Sequence, residues 1–177
     1  MIHRRLTAFT IHILPVAAIK PDLFDIDPQN AALIVCSEDK NHFLNMFPHK
    51  LITPFADTTE IRNTNAISPS QARVIISFLK SLPAEVTDLY ICCSEGLSRS
   101  PAVAAAVLKM SARSDMVIWN NPYYSPNKLV YQTICHESGI FAPNLYVRIL
   151  KTRNNISFKK SKKAGNAGKY ERWQIIE

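Results

Sequence analysis

The chain has 177 residues, a mass of 20.0 kDa and a formal net charge of +7. This length is enough for one domain with a sizeable buried core. Hydrophobic residues make up 47% of the chain and charged residues 20%, proportions typical of a globular protein and not of a disordered one. No apolar run reaches the roughly 18 residues that a membrane-spanning helix needs, so we expect no membrane span.

The N-terminal segment, Met1 to Lys20, places basic residues before an apolar run, as signal peptides do. Pro15 interrupts the run and no clear small-residue cleavage site follows, so a first β-strand is the preferred interpretation. Four cysteines without Cys-x-x-Cys spacing or a nearby histidine cluster predict neither a disulfide framework nor a zinc site. We therefore expect reduced thiols, a cytoplasmic location, and no metal or other cofactor.

Positive charge is concentrated at the C-terminal end of the chain. Residues 151–177 hold eight lysines or arginines against two glutamates, a net of +6, whereas residues 1–150 carry a net of only +1. We predict a single domain over residues 1–150 and a flexible, basic extension over 151–177, of which residues 154–177 are dispensable for folding. A lysine run such as Lys159–Lys163 is usually a solvated tail, and the alternative is a surface for an anionic partner. The last part of the extension, Tyr170–Ile176, has apolar residues with which it could dock back on the domain.

Short apolar runs alternate with helical patterns along the chain. The runs predict buried strands at Phe9–Leu14, Ala31–Cys36, Leu51–Ile52, Leu89–Cys93 and Met116–Trp119. Capping residues and apolar faces predict helices from Ser68 to Pro83, from Arg99 to Met110 and from Ser125 to Gly139. This alternation predicts an α/β fold, a three-layer sandwich in which helices flank a largely parallel central sheet. The second helix is almost entirely apolar or small, so we expect it to be buried.

One segment carries a pattern suited to phosphate chemistry. A predicted strand ends at Cys93, Gly96 follows in a loop, and Arg99 opens a helix six residues after the cysteine. A loop that curls into a helix N-terminus points backbone N–H groups inward, where they bind an anion and stabilise a thiolate. Cys93 is the only one of the four cysteines with an arginine at this spacing.

The residue types of this loop predict a role for each position. Cys93 is the candidate nucleophile, and the planar fork of Arg99 can hold two phosphate oxygens. Ser100 places a hydroxyl near the sulfur, where it assists the departure of the thiolate when a covalent intermediate is hydrolysed. Gly96 allows the backbone torsions of a tight loop. The candidate phosphate-binding residues are Ser94, Glu95, Gly96, Leu97, Ser98 and Arg99.

The run from Cys93 to Ser100 resembles the signature loop of the protein tyrosine and dual-specificity phosphatases, His-Cys-x-x-Gly-x-x-Arg-Ser/Thr. The similarity covers about Leu51 to Gly139, and the runs SRSPAVAAA and IWNNPYYSPNKLVY resemble small bacterial members of that superfamily. The resemblance implies a phosphatase-like fold, a cysteinyl-phosphate intermediate and no metal. It also implies a general-acid aspartate on a separate loop upstream.

Two positions depart from the family pattern. Cys92 stands where a histidine usually precedes the nucleophile, and that histidine orders the loop and tunes the thiolate. Glu95 stands where a small residue is usual, and a carboxylate beside a dianion weakens binding unless it points away. Because neighbours on a strand face opposite sides, Cys92 is expected to lie on the other face of the sheet from Cys93.

Asp57 is the candidate general acid. It lies 36 residues before Cys93, close to the separation found in the family, in a loop after a predicted strand. We call residues 94–98 the candidate phosphate loop. Protonation of the departing oxygen is the one step that this loop does not supply. An aspartate before two threonines is also a common turn or helix cap, so a purely structural role for Asp57 stays open.

The leading hypothesis is a metal-independent phosphomonoester hydrolase of the tyrosine or dual-specificity type, acting on a phosphorylated protein or another phosphomonoester. One alternative is a phosphate-binding module with weak turnover, which the residues at positions 92 and 95 suggest. Another is a thiol enzyme acting on a different oxyanion, such as a sulfur-transfer or arsenate-reducing protein. That alternative requires a resolving cysteine or a sulfur-chemistry motif.

Overall fold

The computed structural model describes residues 9–20, 27–163 and 174–176. The strands and helices, in chain order, are β1 (Thr10–Pro15), β2 (Ala31–Val35), β3 (His49–Ile52), α1 (Pro69–Ser81), β4 (Asp88–Cys93), α2 (Arg99–Met110), α3 (Met116–Trp119), α4 (Lys128–Glu137), α5 (Asn144–Lys163) and β5 (Gln174–Ile176). Short 3-10 turns lie at Val16–Ala18, Pro28–Asn30 and His42–Met46. No helix among the described residues is long and apolar enough to cross a membrane.

The strands form one sheet in the order β3-β2-β4-β1-β5. The first four strands of this order are parallel, and β5 is antiparallel to β1 at the edge. The prediction of an α/β fold with a largely parallel sheet is therefore confirmed. Parallel strands end at the same edge of the sheet, and β4 lies between β2 and β1. The segment after β4 consequently leaves the middle of that edge, where α/β proteins place their ligand sites.

The two faces of the sheet are covered differently. Ile91 and Cys93 pack with α1, α2 and α4 in the larger core. Tyr90 and Cys92 face a smaller core closed by the segments that contain Ile19 and Phe47. The predicted alternation along β4 is thus confirmed, and the two adjacent cysteines lie on opposite faces. The three layers are helices, sheet, and a thinner layer of 3-10 turns.

Helix α1 begins at the predicted capping box. The Gln71 N–H donates to Ser68 Oγ at 3.2 Å, and the Ser68 N–H donates to Gln71 Oε1 at 2.9 Å. Pro69 occupies the first helical position, where no N–H is needed. Helix α2 has the predicted bounds and is buried along almost its whole length, because its alanines allow close packing against the sheet and α4.

The strand predicted at Met116–Trp119 is wrong, since these residues form the short helix α3. Ile118 and Trp119 are buried and Val117 is exposed. A run of four apolar residues does not distinguish a strand from one turn of buried helix.

The C-terminal region differs from the flexible extension predicted from Lys151. Helix α5 crosses the predicted boundary at residue 150 without a break, because Leu150 and Asn154 continue one buried face. Ile176 of β5 is also buried, and its carbonyl accepts a hydrogen bond of 3.2 Å from Arg113 Nη2. The described parts of the basic extension are therefore a helix that packs on the domain through Asn154 and an edge strand. Its glycine-bearing part, residues 164–173, lies outside the described residues.

Candidate active site

Cys93 ends β4 in the middle of the carboxyl edge of the sheet, and its side chain is buried. Its Sγ lies 3.1 Å from Oγ of Ser100, which is in the first turn of α2. The thiol therefore lies beside the N-terminus of a buried helix, where the helix dipole favours negative charge. If Cys93 is a thiolate, the Ser100 hydroxyl is positioned to donate a hydrogen bond to it.

The loop of residues 94–98 supplies hydrogen-bond donors. Within the described part of the chain, the backbone N–H groups of residues 94–99 donate to no backbone or side-chain acceptor. Two of the loop carbonyls are used, since Leu97 accepts from the Ser125 N–H at 2.8 Å and Ser98 accepts from the Asn127 N–H at 3.2 Å. A loop that commits carbonyls to the protein and leaves consecutive N–H groups unpaired is suited to bind an anion.

Gly96 lies where this loop meets the end of β1. Its φ angle is +70°, a conformation that side chains of L-residues rarely adopt. A Cβ atom at this position would lie 2.9 Å from the carbonyl carbon of Leu14 and 2.9 Å from the nitrogen of Pro15. The loop therefore needs glycine here for two independent reasons.

The Arg99 guanidinium is anchored to the ends of two neighbouring strands. Its Nη1 donates to the carbonyl of Cys36, after β2, at 3.1 Å and to that of Phe55, after β3, at 3.0 Å. Its Nη2 donates to Ser94 Oγ at 2.8 Å. Its Nε is buried and has no partner among the described residues. The guanidinium is thus held in one orientation by the contacts of its two Nη atoms.

Asp39 is a site residue that the sequence analysis missed. Its Oδ2 accepts a hydrogen bond of 2.6 Å from the Ser94 hydroxyl, which itself accepts from Arg99. The hydrogen bond from Ser94 is the main cause that lowers the pKa of Asp39 from its ordinary value. The sequence places Asp39 shortly after the predicted strand Ala31–Cys36, but only the structure shows that this strand lies next to β4, so that the segments after both strands meet at one edge.

Asp57 is exposed and contacts the C-terminal end of the loop. Its Oδ1 accepts hydrogen bonds from Ser98 Oγ at 2.8 Å and from Asn127 Nδ2 at 2.7 Å. Asn127 also donates to the Thr58 carbonyl at 3.0 Å and caps α4 by accepting from the Leu129 N–H. The structure therefore brings Asp57 to the candidate phosphate loop, and the same contacts connect that loop to the start of α4.

The two residues that depart from the family pattern have different surroundings. Glu95 is exposed, and its carboxylate takes part in no hydrogen bond among the described residues. Cys92 is fully buried on the opposite face of the sheet, and burial raises the pKa of its thiol well above the ordinary value. Cys92 is thus a neutral core residue, and it supplies no charge in place of the histidine. Leu97 and Ser98 are half-buried in the loop.

The remaining cysteines are buried and unbridged. Burial raises the pKa of the Cys36 thiol, and the charge of Cys93 adds to this effect. Burial also raises the pKa of Cys135 to about 12. Cys36 and Cys135 both share the larger core with Cys93, but of these two only Cys36 interacts electrostatically with it, so Cys36 is the cysteine that a thiol-enzyme mechanism would use for resolution. Its raised pKa disfavours the thiolate that such a mechanism requires. Among the described residues, no three metal-ligating side chains cluster.

A cleft of about 630 Å³ adjoins the loop at Ser94 and Arg99. Its walls come from the segments that follow β2 and β3 and from the start of α1. Glu38 and Asp39 give one wall negative charge, and Asn65 adds an exposed amide. The cleft is wide and polar beside the arginine that faces it.

Protein-family models give no match to the chain, and neither do curated protein sequences. Among solved structures, it is similar to PTPMT1 in complex with PI(5)P, with 16% identity, a TM-score of 0.39, and coverage of 84% of this chain and 90% of that one. It is also similar to the Yvh1 phosphatase domain from Chaetomium thermophilum, with 15% identity, a TM-score of 0.43, and coverage of 84% and 92%. A second structure of PTPMT1 has 14% identity, a TM-score of 0.39, and coverage of 87% and 95%.

Proposed function

We propose that this chain is a phosphomonoester hydrolase in which the thiolate of Cys93 attacks phosphorus. The observation that carries the proposal is the arrangement around that thiol. It lies 3.1 Å from the Ser100 hydroxyl at the N-terminus of α2. The loop that follows it leaves the N–H groups of residues 94–99 without acceptors among the described residues. Such a site binds a tetrahedral oxyanion directly in front of a nucleophile.

The first chemical step forms the bond between Cys93 Sγ and phosphorus and breaks the bond between phosphorus and the leaving oxygen. The loop N–H groups and Arg99 hold the non-bridging oxygens, whose negative charge they stabilise in the transition state. Asp57 gives its proton to the leaving oxygen, so that an alcohol or phenol departs.

The second step hydrolyses the cysteinyl-phosphate. A water molecule attacks phosphorus, and the ionised Asp57 accepts its proton. The bond between sulfur and phosphorus breaks, and the sulfur keeps the electron pair. The Ser100 hydroxyl donates a hydrogen bond to the departing thiolate, which makes it a better leaving group. Inorganic phosphate and the initial enzyme result, without a metal ion or other cofactor.

The proposed substrates are phosphorylated proteins carrying phosphotyrosine, phosphoserine or phosphothreonine, or other phosphomonoesters. The family resemblance of the loop supports this class, and the open cleft beside Arg99 provides room for a large leaving group. The mechanism needs a reduced thiol at Cys93, which is compatible with a cytoplasmic location.

A phosphate-binding module with weak turnover is the second candidate. The contacts around Ser94 favour it, because this hydroxyl takes one N–H of Arg99 Nη2 and is bound to the Asp39 carboxylate. The carboxylate that Ser94 holds two hydrogen bonds from the guanidinium opposes the binding of a dianionic phosphate. The neutral, buried Cys92 in place of a histidine points in the same direction.

Hydrolysis of p-nitrophenyl phosphate in the presence of a chelator separates the two candidates. For the hydrolase, we expect metal-independent turnover that Cys93→Ser abolishes, while phosphate binding persists because the loop N–H groups remain. The matched control is Cys135→Ser, the same exchange in the core away from the loop. Phosphate binding without turnover in the unmodified chain would identify the binding module. Turnover unchanged in Cys93→Ser would overturn the mechanism.

Arg99→Lys tests the fork of the guanidinium. Lysine keeps the charge but not the planar pair of donors, so turnover should fall by at least about a hundredfold. Arg113→Lys is the control, because Arg113 also uses both Nη atoms on backbone carbonyls, those of Phe9 and Ile176, away from the loop. Equal losses in both variants would mean that the arginines act only on the fold.

A further inference from the structure

Helix α5 is the most strongly charged element among the described residues. Between Asn144 and Lys163 the sequence contains seven lysines or arginines and no aspartate or glutamate. The helix therefore carries as much positive charge as the net charge of the whole chain, which is +7.

The exposed face of α5 also carries three large apolar side chains among its polar ones. Leu145, Ile149 and Ile156 are 68%, 51% and 48% exposed. At about 100° per residue, these three side chains lie within an arc of about 40°. Viewed along the helix axis, Arg148 lies about 60° from Leu145 on one side of this arc. Arg153 lies about 80° from Leu145 on the other side. We call these five residues the α5 ridge.

We propose that the α5 ridge docks on the surface of an anionic lipid bilayer. A helix with basic residues beside an apolar stripe lies in the plane of a membrane surface, with the stripe in the boundary between headgroups and acyl chains. The arginines would bind lipid phosphates while their aliphatic stems remain near the apolar region. This inference does not depend on the proposed hydrolase activity.

The shape and charge of the ridge favour a bilayer over other partners. It is the outer face of a single helix, and the large cleft of the molecule is lined by other segments, those after β2 and β3 and the start of α1. A second copy of the chain would bring a second strongly basic helix against the first, which like-charge repulsion opposes. Nucleic acid would use the arginines but gain little from three exposed aliphatic side chains.

The ridge belongs to a helix that is firmly attached to the candidate active site. On the inner face of α5, Lys151 Nζ donates to Ser125 Oγ at 2.8 Å, and Asn154 Nδ2 donates to the Asn121 carbonyl at 3.1 Å. The N–H of that same Ser125 donates to the Leu97 carbonyl of the phosphate loop. Docking of the ridge would therefore hold the phosphate loop at a fixed height and orientation relative to the lipid surface.

Flotation of the full chain with vesicles tests the charge part of the proposal. We expect binding to phosphatidylcholine vesicles that contain phosphatidylserine, weak binding to phosphatidylcholine alone, and weakening by salt. The double variant Arg148→Glu with Arg153→Glu should bind at least about tenfold more weakly. Arg62→Glu, in an exposed loop, is the control and should lose less than about threefold.

Two further variants test the apolar part. Leu145→Ser combined with Ile149→Ser should weaken binding at least about tenfold, because less apolar surface enters the bilayer. Ile61→Ser, at a side chain that is 83% exposed elsewhere, should have no effect. In a Leu145→Trp variant, phosphatidylserine vesicles should shift the tryptophan emission to shorter wavelength. An Ile61→Trp variant should show no such shift.

Several outcomes would overturn the proposal. One is binding that does not respond to phosphatidylserine, and another is equal loss in the ridge and control variants. A third is tight binding to DNA with none to vesicles, which would assign the ridge to nucleic acid. A fourth is a dimer in light scattering that the Leu145→Ser and Ile149→Ser variant dissociates, which would assign it to a second copy of the chain.

Discussion

The carboxylate of Asp39 lies 2.6 Å from the hydroxyl of Ser94, and this hydrogen bond joins the segment after β2 to the loop of residues 94–98. Because Ser94 also accepts from Arg99, a negative charge is placed two hydrogen bonds away from the guanidinium that is proposed to hold phosphate. A carboxylate in this position stabilises the orientation of Ser94 and Arg99. It also repels a dianionic substrate.

Exchange of Asp39 separates these two effects. Asp39→Asn keeps an acceptor for Ser94 but removes the charge, so KM for p-nitrophenyl phosphate should fall several-fold, by about three to ten, with kcat nearly unchanged. Asp39→Ala removes the acceptor as well, and kcat should then fall because Ser94 and Arg99 lose an anchor. Steady-state kinetics at fixed ionic strength measure KM and kcat for each variant. An unchanged KM in Asp39→Asn would mean that the carboxylate lies too far from the substrate to matter.

The pH dependence of stability tests the hydrogen bond between Ser94 and Asp39 in a second way. The hydrogen bond from Ser94 lowers the pKa of Asp39 in the folded chain relative to the unfolded one. Its contribution to stability is therefore complete above the ordinary pKa of aspartate and is lost as pH falls through the lowered value. Urea midpoints of the unmodified chain and Asp39→Ala should differ at neutral pH and converge in acid. A difference that persists at the lowest pH would show another cause.

Gly96 and Gly139 form a matched pair, because both have positive φ angles, +70° and +77°. A Cβ atom on Gly96 would meet the backbone of Leu14 and Pro15, whereas a Cβ atom on Gly139 would have no neighbour within 4 Å. Gly139→Ala should cost about 1–2 kcal/mol of unfolding free energy from backbone strain alone and leave turnover intact. Gly96→Ala should cost more and should also abolish turnover, because the loop must move away from β1.

Urea unfolding and hydrolysis of p-nitrophenyl phosphate check this pair. If both alanine variants lose the same stability and keep activity, the contact between the loop and the end of β1 does not set the loop conformation.

Local sequence signals predicted most of the strands and helices that carry the candidate site. The capping box at Ser68 and the alanine-rich run after Arg99 gave the bounds of α1 and α2, because caps and buried faces are encoded by neighbouring residues. The order of strand, Cys93, loop and helix likewise lies within one short segment. Asp39 was missed because its contact with Ser94 spans 55 positions in sequence and depends on which strand lies beside β4.

Helix α5 was missed for a different reason. Val147, Leu150 and Asn154 recur at helical spacing and are all buried, but the third of them is polar. Because Asn154 is polar, it interrupts the apolar pattern of the helix in the sequence, and the basic composition of the segment suggests a tail. The burial of Asn154 is explained by partners that are distant in sequence, because its Nδ2 donates to the carbonyls of Asn121 and Tyr124.

Asn154→Ala tests whether α5 is part of the folded domain. The substitution leaves two buried carbonyls without their donor, so the free energy of unfolding should fall by about 1–3 kcal/mol. The neighbouring Asn155 is exposed, and Asn155→Ala should change it by less than about 0.5 kcal/mol. Urea unfolding measures both. Truncation before residue 154 should destabilise the chain for the same reason, in contrast to the dispensable tail predicted from composition.

Asp57→Asn tests the proposed general acid while preserving its structural role. Asparagine keeps an oxygen that can accept from Ser98 and Asn127, the two donors that Asp57 Oδ1 binds. Asparagine lacks the acidic proton that Asp57 is proposed to give to the leaving oxygen. Without that proton the leaving oxygen departs as an anion, so the penalty grows as the leaving group becomes more basic.

Rates with two substrates show whether this penalty exists. Phenyl phosphate, whose leaving group is poor, should be hydrolysed at least about a hundredfold more slowly by Asp57→Asn. p-Nitrophenyl phosphate, whose leaving group is stable as an anion, should be affected much less. The alkaline limb of the pH–rate profile should also flatten, because it reports deprotonation of the acid in the unmodified chain.

Ser98→Ala is the control for the anchoring role of Asp57. It removes one of the two hydrogen bonds to the carboxylate but leaves the acid in place, so any loss should be similar for both substrates and the alkaline limb should remain. If Asp57→Asn also slows both substrates equally and keeps the alkaline limb, Asp57 is an anchor between the phosphate loop and α4. The acid would then have to be another carboxyl group, and Glu95 and Glu60 are the next to test by the same comparison of leaving groups.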